Sequence, residues 1–180
     1  VFMGKVLKKK TAVAGDEVTY SLMLRQMQKA VAIQHKGIAS RHAYSMDGID
    51  YYCGIRDEDI GILRQKYDVI ILDISFENTF DNTNVTFARM VSRLSACDEK
   101  ILAGSMLPWK SRECEKKMER IERFLDIRGL KMVTLAACDK EAVSIIKKHG
   151  VEVVLIPFER NPFVISGENL RSFLELLKIT

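Results

Sequence analysis

Along this chain the apolar positions switch repeatedly between two periods. Some stretches are unbroken hydrophobic runs, and others carry stripes spaced three and four residues apart. The run "DVIILDI" (68–74) predicts a strand covered on both faces, where every side chain meets a packed layer. "TAVA" (11–14), "IDYYC" (49–53), "KILAG" (100–104), "KMVTLAAC" (131–138) and "VEVVLIPF" (151–158) predict further strands, rich in residues that suit a pleated, half-buried surface.

Between them lie helical stripes. Phe2, Val6 and Leu7 open the chain at helical spacing, followed by a basic run. From Val18 to about His35, Leu22, Met23, Met27, Ala30 and Val31 form one stripe, read as core packing. Residues 36–48 read as a loop or irregular excursion. "RDEDIGILRQK" predicts a short helix with Asp57 near its cap. Asn84 to Cys97 carries Phe87, Met90, Val91 and Leu94 on one face. A helix from Trp109 or Ser111 to about Arg128 would turn Met118, Ile121, Phe124 and Leu125 inward. Glu113–Lys117 and Glu119–Arg123 would pair on its solvated side. "DKEAVSIIKKHG" predicts a helix stopped by Gly150, and "GENLRSFLELLKI" a closing one.

This alternation predicts an α/β fold, a three-layer doubly wound sheet that is mostly parallel with helices on both faces. Ligands of such sheets bind beyond the carboxyl ends of the strands. The loops there carry the candidate residues: Asp16; Asp73 and Glu77; Ser105, Pro108 and Trp109; Asp139; and Pro157, Phe158 and Asn161.

Length and composition narrow the classes. At 180 residues, one domain spanning 1–180 is the expected organisation. The chain is 47% hydrophobic and 29% charged, as for an ordinary globular protein, and its net charge is +4. That mild excess comes with mixed-sign helices, so nucleic acid is not expected as the main partner. Cys53, Cys97, Cys114 and Cys138 form no CxxC pair, which removes zinc ribbons and dithiol redox motifs. Free thiols, no run long enough for a membrane span and no signal-peptide core together predict a cytoplasmic protein. The chain opens on Val1 rather than Met, so a missing upstream piece, a processed chain or an alternative start is expected.

An aspartate ending a buried strand can accept a phosphoryl group, hold Mg²⁺ beside a nucleotide, or simply end the strand. A receiver domain would use Asp73 as phosphoacceptor. It needs acidic residues after the first strand, for which Asp16 and Glu17 are available, and a hydroxyl on the next strand, which Ser105 fits loosely. It also needs a Lys after the last strand, and "LIPFERNPF" has none. A P-loop NTPase would use "DVIILD" as its Walker B strand, but the GxxxxGK[ST] loop that cradles phosphates is missing. The single Gly-Lys pair, Gly4-Lys5, is followed by Val6 where the Mg²⁺-binding hydroxyl belongs. ATP and Mg²⁺ are therefore expected only if a phosphate loop lies before Val1, with Asp73 then the metal ligand, and otherwise no cofactor is expected.

Other constellations carry less. His35, His42 and His149 lack metal-ligand spacing, and Ser105 lacks a GxSxG elbow. Asp73, Glu77 or Asp81 in the loop 75–84 could ligate Mg²⁺, although its Asn and Thr residues also suit helix capping. Trp109, after Pro108, reads either as an aromatic for a protein partner or as a half-buried anchor of the helix start.

In their order, "KYDVIILDIS", "KILAGSMLPWKS", "KMVTLAACDKEA", "VEVVLIPFERNPF" and "SGENLRSFLELL" resemble the MinD/ParA-like P-loop NTPases of the SIMIBI class, TadZ-like proteins included. Ile156, Pro157 and Phe158 match that group's "IP-aromatic" segment, and Gly167 the start of its closing helix. "DGIDYYCG" and "GSMLPW" resemble degenerate bacterial members. The resemblance covers roughly residues 1–178. It implies a nucleotide-binding ancestry, with Phe158 near where a base would lie. It places "FMGKVLKK" at the tail of a first helix and "KKTAVAGD" on a second strand. The expectation is a pseudo-NTPase: a non-catalytic regulatory, assembly or localisation protein acting through a protein partner or homodimer. The alternatives are a fragment of an ATPase whose Walker A loop lies upstream, and a receiver-like domain.

Overall fold

The computed structural model describes residues 3–4, 7–15, 31–34, 37–38, 42–74, 84–126, 130–135, 140–158 and 165–178. The chain is α/β and divides into two compact units, Val1–Asn84 and Val85–Thr180. Each has its own sheet, and most strand pairs are parallel.

The first unit is built on β1 (Thr11–Gly15), β2 (Val31–Ala32), β3 (His42–Met46), β4 (Ile49–Cys53) and β5 (Val69–Leu72), in the order β2-β3-β4-β1-β5. β1 runs parallel to β4 and β5, while β3 is antiparallel to both β2 and β4. β3 corrects the expectation of a loop at 36–48. Met46 pairs with Ile49 across a two-residue turn, Asp47-Gly48, with φ of 55° and 77°. Positive φ at both positions is the hairpin turn whose twist matches the strands, and Asp-Gly is a sequence that supplies it. β2 corrects the predicted helix 18–35 at its end, where Val31 and Ala32 pair with Ser45 and Tyr44 instead. The remainder of that stripe, 18–30, lies outside the described residues.

One face of this sheet is covered by α1 (Asp57–Lys66). Ala12 and Ala14 on β1 are small and fully buried, which leaves room above them for Leu63 of the helix and the rings of Tyr52 and Tyr67. Ala43 and Ile55 belong to the same cluster, and the partly buried Ile33, Ile38, Ile60, Ile70 and Leu72 pack against it. Arg56 precedes α1, Asp57 opens its first turn next to that cap position as expected, and Asp59 in the same turn accepts from the Arg56 N–H at 3.0 Å. That bond satisfies one of the amide donors a helix start leaves open. β5 is an edge strand of this sheet, paired only with β1 among the described residues, and Ile71 is exposed. The expected burial of "DVIILDI" on both faces is not what this sheet shows.

The second unit takes in α2 (Asn84–Ser95) from Val85 onward and carries the parallel sheet β6 (Ile101–Ala103), β7 (Lys131–Leu135) and β8 (Glu152–Ile156), in that order. Its helices are α3 (Pro108–Glu122), α4 (Lys140–Lys148) and α5 (Gly167–Leu177). Met118 and Ile121 of α3 are buried as their spacing predicts, and Lys117 pairs with Glu113 at 2.8 Å. α3 ends at Glu122, earlier than the stripe suggested. Phe124 is consequently exposed, with its ring edge-on to Phe87 at 4.9 Å between centroids. Gly150, at φ 76°, ends α4 as expected. Ser166 caps α5, its hydroxyl accepting from the Asn169 N–H at 3.2 Å.

Candidate functional site

Parallel strands end together, so each sheet has a carboxyl edge where loop side chains gather. In the first unit, the ladder continues past the strand ends. Gly54 N–H donates to Gly15 O at 2.9 Å, and Asp73 N–H donates to Ala14 O at 2.8 Å. Asp73 therefore stands just beyond β5 beside the end of β1, held by its backbone, with its side chain exposed. Asp16 and Glu77, the carboxylates expected to join it, lie outside the described residues. No cluster of three or more His, Cys, Asp or Glu able to hold a metal occurs among the described residues.

The second unit places five candidates at one edge. Leaving β6, the chain hugs β7: Gly104 N–H donates to Val133 O at 3.0 Å, and Met106 N–H to the buried Thr134 hydroxyl at 3.3 Å. The approach is close enough to exclude a side chain at 104. A Cβ there would lie 2.6 Å from Cys114 Sγ and 2.5 Å from Met132 Cε. Burial pushes the Cys114 thiol above its usual range. Ser105 is half-buried in this loop, Met106 is fully buried, and Leu107 caps α3 through its carbonyl. Pro108 takes the first helical position, where its missing N–H costs nothing.

Trp109 follows on this firm base as a helix residue, 74% exposed. Its side chain is not the half-buried anchor of the alternative reading. After β8, Pro157 is half-buried and Phe158 is 76% exposed. β6 and β8 flank β7, so about 10 Å of sheet separates the two strands that these aromatics follow. Leu135 and Leu155, near the ends of β7 and β8, are also exposed, one on each face of the sheet. Asp139 and Asn161 lie outside the described residues.

A second polar constellation, at the amino edge of the first sheet, was not expected from the sequence. The Tyr67 hydroxyl donates to Asp50 Oδ2 at 2.6 Å, and the Tyr52 hydroxyl lies 2.6 Å from that of Tyr67. The Lys10 ammonium sits 5.1 Å from the centre of the Tyr67 ring. Burial first, and then the bond to Asp50, hold the Tyr67 hydroxyl well above its usual range. Burial also raises Tyr52. Two tyrosines that stay protonated and end on a carboxylate form a fixed hydrogen-bond chain. The signal in the sequence was the alternation of "IDYYC", which sets Asp50 and Tyr52 on one face.

No family model and no curated protein matches the chain. No helix among the described residues is long and apolar enough to cross a membrane.

Proposed function

We propose that this is a non-catalytic protein with an NTPase-like, doubly wound α/β fold of the MinD/ParA type. It serves a regulatory, assembly or localisation role by docking a protein at the carboxyl edge of β6–β7–β8. The observation that carries the docking reading is the shared placement of Trp109 and Phe158. Both follow parallel strands of one sheet, both are exposed, and one stands on a helix start braced by buried contacts. Exposed aromatics on a rigid base suit association, because they offer large area at low ordering cost.

The parallel β-α-β order in both units supports the doubly wound reading, as does the position of Asp73 at a strand's carboxyl end. The non-catalytic reading is supported by the sequence itself, in which no phosphate-binding GxxxxGK[ST] loop occurs. Any nucleotide site would then require a loop before Val1, and the receiver reading requires an acidic pair around Asp73.

The docking reading is tested by replacing Trp109 with a photo-crosslinking phenylalanine analogue in cells, with the same replacement at Glu119 on the exposed side of α3 as comparator. A discrete protein adduct at 109 and not at 119 is expected. Equal labelling at both positions would overturn it.

A further inference from the structure

We draw no further inference here: the strongest candidate, the surface patch of exposed Trp109 and Phe158 at the carboxyl edge of β6–β7–β8, belongs to the site already described, and nothing in the structure shows what covers it.

Discussion

The phenolic oxygens of Tyr52 and Tyr67 stand 2.6 Å apart under the first unit's helix α1, and Tyr67 spends its own proton on Asp50. The proton between the two rings must therefore come from Tyr52, so the chain runs in one direction, from Tyr52 to Tyr67 to Asp50. Both rings are buried against Ala12 and Ala14, where an unmade hydrogen bond is expensive. Losing either proton would put a negative charge beside the Asp50 carboxylate in that setting.

Tyr67→Phe should remove both bonds while keeping the ring. The expected loss is about 1–3 kcal/mol at neutral pH, because Tyr52 and Asp50 each lose a partner. The sign of the pH effect follows from the raised hydroxyl. A group whose pKa is higher folded than unfolded gives its full stabilisation below the unfolded value, about 10 for tyrosine. The contribution is lost progressively as pH rises beyond it. Urea denaturation of wild type should thus weaken above pH of about 10, and Tyr67→Phe should weaken less steeply. Parallel curves for the two proteins would count against the relay.

Gly104→Ala probes the bend that carries Trp109. The added Cβ meets Cys114 Sγ and Met132 Cε well inside contact distance. Met132 can swing its terminal methyl aside, but the short Cys114 side chain cannot, so the strain falls on the strand–helix contact. A loss of about 1–3 kcal/mol is expected, as for overpacking. Cys114→Ala in the same chain should recover part of it, read as a coupling term in a double-mutant cycle. Strict additivity would show that the two groups do not meet.

Trp109→Ala and Met118→Ala, both on α3, should separate surface from core. Trp109 is 74% exposed and Met118 is 1% exposed. Thermal melts should show Trp109→Ala within about 0.5 kcal/mol of wild type. Met118→Ala should lose about 2–5 kcal/mol through the cavity it leaves. A large loss at Trp109 would mean that it braces the fold rather than serving a partner.

How much of this was legible depended on what each signal measures. Periodicity found α1 to α5 because it reports burial on one face, and Met90, Met118 and Ile146 are buried accordingly. It did not find β3, since "HAYSM" has no alternation of strong hydrophobes. The cue lay in the turn, where Asp47-Gly48 takes two positive φ values. "VIIL" looked central because it is apolar throughout, but β5 lies at the edge of its sheet with Ile71 exposed. Sequence reports what a strand can bury and not which neighbour it finds. The loop residues were legible as a class, yet only the structure distinguished exposed Trp109 and Phe158 from half-buried Ser105 and Pro157. The tyrosine relay escaped because its members are 15 and 17 residues apart and meet only through the strand order.

Calorimetry with ATP and Mg²⁺ on this chain should show no heat of binding, because the sequence offers no loop of amides and Lys to hold the phosphates. Asp73→Asn should leave stability within about 0.5 kcal/mol of wild type. Its exposed side chain is replaced while the backbone bond to Ala14 remains. A micromolar ATP site abolished by Asp73→Asn would return the protein to the catalytic reading.

Lys131 opens β7 at 2% exposure, with its ammonium 2.8 Å from Glu99, whose side chain is more than half exposed. The two ends of this pair should respond unequally to replacement. Glu99→Gln leaves a buried ammonium facing a neutral amide, and breaking a buried pair from one side costs about 3–5 kcal/mol. The solvent reaching Glu99 should lower that figure here, to about 1–3 kcal/mol. Lys131→Met removes the buried charge and keeps a flexible apolar stem, so the change should be near neutral or slightly stabilising. Urea denaturation of the two variants beside wild type reads the asymmetry directly. Equal losses would mean that Lys131 contributes through the pair itself. A larger loss in Lys131→Met would mean that the start of β7 depends on the ammonium more than on its burial.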